Sequence, residues 1–301
     1  MLAVTILGNN SAIPAFDRHP TAQVITLDDH LFLVDCGEGT QSQMNKYKIR
    51  RSRINHIFIS HLHGDHYFGL IGLLTSMGLL GRHQDLHLFG PAALKDILDL
   101  QLKVADTQLP FNLIFHPLTE EGVLVKDNRF QIDCFRVFHR IECWGFIFRQ
   151  VRPPRRVNPD KSRLAGVPPS FFDRLKWGED YETKEGILIP NESITEPAPH
   201  PKSYAYSADT IFHPDLAEKV KGLDMLYHET TYLKDLEERA AKRFHCTTVQ
   251  AATIAKMAQV KQLLIGHFSS KYDKLDEFEL EAREVFSNTS LALEGISYLV
   301  L

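Results

Sequence analysis

The stretch that most constrains this chain is His61-Leu62-His63-Gly64-Asp65-His66, which places three imidazoles and one carboxylate within six positions. A short apolar run typical of a buried strand, Ile57-Phe58-Ile59, comes just before it. The apolar residues that follow recur at the spacing of one helix face, at Leu70, Leu73, Leu74, Met77 and Leu80. The pattern predicts a histidine-rich loop at a strand's carboxyl end, where layered α/β folds place ligand sites.

The residue types in this loop indicate a metal site. Imidazole nitrogen and carboxylate oxygen are ligands of zinc and similar divalent ions. His61 and His63 are two residues apart and point the same way in an extended segment, whereas Asp65 and His66 follow the turn that Gly64 allows. A polar loop that is histidine-rich by chance is the alternative, but packing explains such a cluster poorly. Four ligands are too few for two ions, so other segments must contribute.

Other predicted strands also end in histidine or aspartate. A lone histidine at a strand end is usually a solvated surface group, but two packed sheets that share one rim would gather several of them. Asp35, at the end of the strand Leu31–Val34, could accept a hydrogen bond from a metal-binding side chain and so orient it. The candidates to complete the site are His139, Asp209, His228 and His267.

Composition is ordinary for a soluble globular protein. Of 301 residues, 44% are hydrophobic and 24% charged, and the net charge is −4, so an anionic partner must be met by a local patch. The four cysteines form no CxxC pair, which favours reduced thiols in a cytoplasmic protein. Met1 opens onto a strand-like segment without a signal-peptide pattern, and no apolar run is long enough to span a membrane.

One local patch is strongly basic. The segment from residue 149 to 176 has eight Lys or Arg residues against Asp160 and Asp173, and prolines cluster there. Up to about Lys202 it lacks sustained core periodicity, which predicts an inserted arm over residues 149–202. A solvated loop is one interpretation; contact with a phosphate backbone is the sharper one. The candidate substrate-binding residues are Arg149, Arg152, Arg155, Arg156, Lys161, Arg163, Arg174 and Lys176.

Together these motifs resemble a known family. The string His61-x-His63-x-Asp65-His66 is similar to the metallo-β-lactamase superfamily signature. More narrowly, nearly all of residues 1–301 resembles ribonuclease Z, the endonuclease that removes 3′ trailers from precursor tRNA. The additional markers are Asp35-Cys36-Gly37-Glu38-Gly39-Thr40-Gln41, the His139 hairpin, Tyr206-Ser207-Ala208-Asp209-Thr210, His228-Glu229-Thr230-Thr231, His245-Cys246-Thr247, Gly266-His267-Phe268-Ser269 and the basic insertion.

The resemblance implies an αββα metallo-β-lactamase sandwich with an inserted basic arm. It implies two Zn²⁺ per subunit, with Mn²⁺ or Co²⁺ also suited to the ligands, and no organic cofactor. One ion is expected on His61, His63 and His139, the other on Asp65, His66 and His267, with Asp209 bridging. It further implies a cytoplasmic homodimer whose arm grips the tRNA elbow. Ala208, Thr230 and the Gly166-Val167-Pro168-Pro169 segment depart from the family pattern.

The expected reaction is hydrolysis of one RNA phosphodiester, leaving a 3′-hydroxyl on the tRNA and a 5′-phosphate on the trailer. Asp65 would orient and deprotonate the attacking water. His245 would protonate the leaving oxygen, with Glu229 holding the imidazole charged; a role for His245 only in starting its helix is the alternative. The rival functions are a small-molecule phosphodiesterase or thioesterase of the same superfamily and a non-catalytic RNA-binding protein.

Overall fold

The computed structural model describes residues 1–151, 153–198 and 200–301. Within these ranges the strands, in chain order, are β1 (Leu2–Gly8), β2 (Asn10–Ser11), β3 (Ala22–Leu27), β4 (His30–Val34), β5 (Ile54–Phe58), β6 (Leu86–Gly90), β7 (Leu113–Pro117), β8 (Gly122–Lys126), β9 (Phe130–Val137), β10 (Cys143–Gln150), β11 (Arg156–Val157), β12 (Tyr181–Glu182), β13 (Leu188–Ile189), β14 (Thr195–Glu196), β15 (Ser203–Tyr206), β16 (Met225–Glu229), β17 (Gln262–Gly266), β18 (Phe268–Ser269), β19 (Thr289–Leu291) and β20 (Ser297–Leu299).

Most helices lie between these strands or follow them. In the same described part of the chain they are α1 (Thr40–Lys46), α2 (Gly64–Tyr67), α3 (Leu70–Leu79), α4 (Ala93–Val104), α5 (Pro159–Leu164), α6 (Phe172–Lys176), α7 (Asn191–Ile194), α8 (Leu216–Lys219), α9 (Glu237–Arg243), α10 (Thr248–Ala258) and α11 (Asp276–Val285). None of the helices described is both long and apolar enough to cross a membrane.

Two mixed sheets, each of seven described strands, form the centre of the fold. The first has the order β20-β1-β3-β4-β5-β6-β7 and the second β19-β17-β16-β15-β10-β9-β8. In each sheet one half is antiparallel and the other parallel: β4 to β7 run parallel in the first, and β15, β16, β17 and β19 in the second. The two halves of the chain therefore repeat one mixed-sheet plan.

The apolar residues separate into layers as the predicted sandwich requires. Large buried aromatic side chains from both sheets, among them Phe32, Phe58 and Phe146, pack in one central cluster. Leu73 and Leu94, from α3 and α4, pack in a second cluster on the outer face of the first sheet. Helices α10 and α11 bury alanines and Phe278 on the outer face of the second sheet. The order helix, sheet, sheet, helix follows, and the predicted α/β class is confirmed.

Parallel strands point their carboxyl ends to the same edge of each sheet, and this arrangement positions the site. The loops after β4, β5, β15 and β17 carry Asp35, His61, Asp209 and His267, and the β9–β10 turn carries His139. A short parallel pair, β2 with β18, joins the loop after β1 to the loop after β17. Residues far apart in sequence therefore meet at one shared rim.

The insertion, defined from here on as residues 151–202, has a small core of its own. Val167, Leu175 and Ile194 are buried together in it, and two-stranded pairs join β11 to β14 and β12 to β13. The sequence showed no sustained core periodicity here because these elements are only two to six residues long. The predicted start at Arg149 is two residues early: Arg149 and Gln150 complete strand β10, where Arg149 pairs with Ser203.

Candidate metal centre

Seven side chains from the loops of both sheets converge at the shared rim. They fall into two groups in which the nitrogen and oxygen atoms that could hold a metal ion all lie within 4.8 Å of one another. The first group is His61, His63, His139 and Asp209, and the second is Asp65, His66 and His267. The structure thus brings together all seven residues that the family resemblance implies as metal ligands, whereas His228, the other candidate at a strand end, is in neither group.

The first group surrounds a point shared by three imidazoles. The His63 Nδ1 atom lies 3.0 Å from the Nε2 atoms of both His61 and His139. The Asp209 Oδ2 atom is 3.7 Å from His61 Nε2. Separations this short between ring nitrogens are what convergence of lone pairs on one small cation produces, and neutral imidazole nitrogen suits such an ion.

The second group faces the other side of the same aspartate. His267 Nε2 lies 3.3 Å from Asp209 Oδ1 and 3.4 Å from Asp65 Oδ2. His66 Nε2 lies 3.4 Å from Asp209 Oδ2 and 3.6 Å from Asp65 Oδ2. Asp209 therefore contacts residues of both groups, which is the position that a bridging carboxylate needs.

Two buried atoms of this cluster indicate that it fits a cation. Among the described residues, His66 Nε2 and Asp209 Oδ1 are shielded from solvent and have no hydrogen-bond partner. A buried polar atom without a partner costs roughly 1–3 kcal/mol. An ion that accepts both lone pairs would remove that cost, and the mixed nitrogen and oxygen donors match a divalent metal.

Four of the histidines are oriented by a second hydrogen bond at Nδ1, among them His61, whose Nδ1 lies 3.0 Å from the Ser60 hydroxyl oxygen. His66 Nδ1 lies 2.7 Å from Asp35 Oδ2, and His139 Nδ1 donates to the Phe244 carbonyl at 2.8 Å. His267 Nδ1 lies 2.9 Å from the Thr231 hydroxyl. These contacts leave Nε2 of each ring facing the cluster, which is how a protein fixes the metal-binding tautomer. The contact expected between Asp35 and a ligand residue is present.

The loops that carry these residues turn sharply, at some conformational cost. Asp35, Ala208 and His267 all adopt positive φ values, of 56°, 54° and 59°. Such left-handed backbone is unfavourable for residues with a Cβ and is concentrated at functional sites. Ala208 therefore accepts backbone strain that a glycine would not. Gly37 is needed for space: a Cβ there would lie 2.4 Å from the Asp65 carbonyl oxygen.

His245 and Glu229 form a pair beside the ligand groups. The His245 Nδ1 atom lies 2.8 Å from Glu229 Oε1, and the carboxylate also accepts hydrogen bonds from the Thr231 backbone and hydroxyl. Burial disfavours protonation of His245, but the Glu229 carboxylate outweighs it and raises the pKa of the imidazole to about 9. His245 is also near enough to Asp209 and His267 to be a metal ligand, yet its Nδ1 is bonded to Glu229.

The members of the cluster differ in protonation: some side chains are held neutral and others are held charged. Burial, with repulsion from His139, lowers the pKa of His63 to about 4, so its ring is neutral and its lone pair is available. Burial opposes a charge on Asp209, yet His267 and His66 hold its pKa well below the usual range. Burial likewise opposes a charge on His66, but Asp209 and Asp65 raise its pKa well above normal. The carboxylates are therefore ionised, and a cation bound to His66 would displace the proton that they hold on its ring.

A cavity of about 480 Å³ opens over the cluster. His63, Asp65, His139, Asp209 and His245 all line it. The sequence offered no indication of several other residues that line the cavity, namely Arg140, Tyr232, Arg239 and Arg243. It also offered none of Ala12, whose backbone N–H donates to Asp65 Oδ2 at 2.7 Å. The basic residues after Glu229 were the only available signal, and their helical spacing alone does not point to a site.

The remaining candidate, His228, is fully buried, and its Nδ1 donates to the Glu229 carbonyl at 2.8 Å.

Four of the seven candidate cations that the structure describes around the insertion lie beside an acid. Lys176 Nζ lies 2.7 Å from Asp173, Arg163 lies 3.4 Å from Asp160, and Arg174 pairs with Glu179. Arg149 lies 3.4 Å from Asp133 on the neighbouring strand, and Arg155 donates to Thr195 at 2.8 Å. Within the described ranges, the side chains of Arg156 and Lys161 have no acidic partner. Arg152 lies outside the described residues.

Similarity to known proteins agrees with this geometry. A family model described as Anti-Pycsar protein Apyc1 matches residues 2–150, a range that includes His61 and His139 but not Asp209 or His267. Ribonuclease Z of Bacteroides fragilis (strain YCH46) is 42% identical over 293 residues, which covers 97% of this chain and 96% of that protein. The sequence similarity therefore extends through both halves and the insertion.

Solved structures give the same result. The crystal structure of human tRNase Z, short form (ELAC1), is similar over 99% of both chains, with a TM-score of 0.73 and 26% sequence identity. The metallo-β-lactamase fold protein YhfI from Bacillus subtilis has a TM-score of 0.69 at 20% identity, over 99% of this chain and 98% of that chain. The predicted metallo-β-lactamase fold and the predicted family are confirmed.

Proposed function

This chain belongs to the ribonuclease Z family, and we propose that it is a metal-dependent endoribonuclease that removes the 3′ trailer from precursor tRNA. The observation that carries the proposal is the complete ligand set: seven donors in two groups, with the His245–Glu229 pair beside them. A non-catalytic RNA-binding protein would have no need to keep such a buried, incompletely bonded cluster. A small-molecule hydrolase would have no need of the insertion.

The proposed metals are two Zn²⁺ per subunit, with Mn²⁺ or Co²⁺ as possible substitutes. His61, His63 and His139 would hold one, Asp65, His66 and His267 the other, and Asp209 both. When the site is loaded, the ions supply positive charge against the phosphate and lower the pKa of a water molecule. The protein's own contribution is to hold these nitrogen and oxygen donors in place and to leave their lone pairs free of other hydrogen bonds.

Asp65 is proposed to orient the attacking water and to accept its proton. Its carboxylate borders the cavity and is held by the Ala12 N–H at 2.7 Å. Burial opposes ionisation of Asp65, but His66 and His267 lower its pKa below the usual range. The carboxylate is therefore charged and fixed, as a water-orienting group should be.

His245 is proposed to protonate the 3′-oxygen that leaves. A ribose alkoxide is a poor leaving group, so a proton donor at the cavity wall lowers the barrier. The Glu229 carboxylate keeps that donor charged, and Thr231 links the same carboxylate to His267. The products are a tRNA with a 3′-hydroxyl and a trailer with a 5′-phosphate.

The proposed partners are precursor tRNA and a second copy of this chain. Contacts between the insertion and tRNA away from the cleavage site are supported by cations such as Arg156 and Lys161, which have no acidic partner among the described residues. The homodimer is proposed from the family resemblance alone. A cytoplasmic location is supported by the four cysteines, all of which are buried and free.

The experiment that tests the proposal is incubation of the metal-loaded protein with a 3′-extended precursor tRNA. Mapping of both product ends should give one cut between the tRNA and its 3′ trailer, with the end groups stated above. Cleavage that leaves a 2′,3′-cyclic phosphate, or no cleavage while a small phosphodiester is hydrolysed, would contradict it. Light scattering of the purified protein checks the dimer separately.

A further inference from the structure

Two arginines on helix α9 line the cavity that contains the metal ligands. Arg239 and Arg243 both border it, together with His139, Asp209 and His245. Both side chains are exposed to solvent. They are four residues apart, so they project from the same face of the helix, with about 5–6 Å between their Cβ atoms. The wall of the cavity therefore presents two guanidinium groups one helical turn apart.

No acid engages these two cations among the described residues. Across the described residues, neither Arg239 nor Arg243 has a carboxylate within ion-pair distance. The Arg239 guanidinium lies 5.8 Å from the centre of the Tyr232 ring, which also lines the cavity. Lys242, on the same helix, lies 3.8 Å from Glu238 and does not border the cavity. Helix α9 thus leaves its positive charge available on the face turned to the metal ligands.

Helix α9 is joined rigidly to the proposed catalytic groups. The residue directly after it, Phe244, has a positive φ of 58° and accepts the hydrogen bond from His139 at its carbonyl. The next residue is His245, whose backbone N–H donates to the Ala240 carbonyl at 2.9 Å. A group held by the α9 arginines is consequently held in a fixed position relative to His139 and His245.

We propose that Arg239 and Arg243 form a phosphate-binding pair that holds the RNA backbone on the side of the scissile bond next to α9. Guanidinium groups bind phosphate oxygens through two parallel hydrogen bonds, and an unpaired one has no competing carboxylate to displace. The inference rests on the proposed ribonuclease function. Stabilisation of the helix dipole by basic residues in the last turn is no sufficient explanation, because Lys242 provides the same charge there.

The test compares the double variant Arg239→Gln/Arg243→Gln with Lys242→Gln, all as full-length, metal-loaded protein. Removal of one phosphate-binding cation should reduce the slope of log K against log salt by about 0.7–0.9, which corresponds to roughly sixfold weaker binding at 0.1 M salt. The double variant should therefore have a KM for precursor tRNA raised about 40-fold and a slope reduced by about 1.6. Lys242→Gln should match the wild type within about twofold.

Three outcomes decide the matter. If the double variant loses far more activity on precursor tRNA than on bis-p-nitrophenyl phosphate, with the expected change in salt slope, the phosphate-binding pair is supported. If its KM and slope equal those of Lys242→Gln, or if it loses activity on both substrates alike, the pair is refuted. Failure of the wild type to cleave or bind precursor tRNA would instead refute the proposed ribonuclease function itself.

Discussion

The metal-ligand rim and the insertion both contain many charged residues, but they handle charge in opposite ways. At the rim, Asp209 and His66 are buried and leave polar atoms without hydrogen-bond partners among the described residues. In the insertion, cations such as Lys176 and Arg174 are exposed and already paired with neighbouring acids. The whole segment from Arg149 to Lys202 has ten Lys or Arg residues against eight Asp or Glu. The rim thus has buried atoms free to bind ions, whereas the positive and negative charges of the insertion nearly cancel.

The comparison teaches that the number of cations is a poor measure of RNA-binding capacity. An arginine in a surface ion pair contributes little to stability, at most about 1 kcal/mol, but it must break that pair before it binds a phosphate. Cations without an acidic partner in the described part of the chain, such as Arg156 and Lys161 in the insertion and Arg239 and Arg243 on α9, should therefore dominate the electrostatic contact. A rim of buried, incompletely bonded charges and an insertion of nearly balanced charge should consequently respond differently to substitution.

The largest effect is expected from Asp209→Ala. This change removes the carboxylate that contacts both ligand groups, so tight binding of both ions should be lost and cleavage should fall by more than about 10³-fold. Metal analysis of the purified variant by mass spectrometry checks the result. Two retained metal equivalents with normal activity would show that Asp209 does not bridge, and that the rim does not depend on this carboxylate.

The next effect concerns proton transfer at the rim. His245→Ala should slow cleavage of precursor tRNA by about 10²–10⁴-fold and have much less effect on bis-p-nitrophenyl phosphate, whose leaving group needs no proton. Glu229→Ala should show the same selectivity more weakly, because Glu229 acts through His245. Rates on the two substrates after single-turnover mixing provide the measurement. An equal decrease on both, or no decrease, would assign His245 to helix initiation instead.

A third prediction removes the insertion and leaves the rim intact. The backbone N–H of Gln150 donates to the Lys202 carbonyl at 2.8 Å, so an Asn-Gly turn can replace residues 151–201 and close the two strands. Processing of precursor tRNA should fall by more than about 10²-fold, with a smaller salt slope, because the insertion no longer supplies cations to the phosphate backbone. Hydrolysis of a small phosphodiester should fall much less. A similar decrease on both substrates would mean that the insertion supports the fold.

The smallest effect separates unpaired cations from paired ones within the insertion. Arg156→Gln removes an exposed cation with no acidic partner among the described residues, whereas Arg163→Gln removes one that lies 3.4 Å from Asp160. The first should weaken tRNA binding by about sixfold at 0.1 M salt and the second by less than about twofold. Fluorescence anisotropy over a salt series measures both. Equal effects would show that charge pairing does not control which cations bind RNA.

Much of the site was predictable because its ligand residues occur in short sequence motifs and at the ends of predicted strands. The string from His61 to His66 supplied four ligands, and the tendency of strands to end in His or Asp indicated His139, Asp209 and His267. The same tendency also indicated His228, which only the family resemblance left out of the ligand set. Burial periodicity identified the strands that carry them, so the residues and their shared rim followed. The small core of the insertion escaped the sequence analysis because its helices and strands are too short to show a period.

What the sequence alone determined, then, is the set of donor atoms and the end of the fold at which they lie, because strand direction and side-chain type are local properties. Only the tertiary structure decided which charges remain available. Arg149 meets Asp133 across a strand pair, Asp209 contacts both ligand groups, and Arg239 faces the cavity. Ion pairs between helix neighbours three or four residues apart follow from spacing along the chain, as for Lys242 and Glu238, but contacts between distant segments depend on which faces meet, and no spacing specifies that.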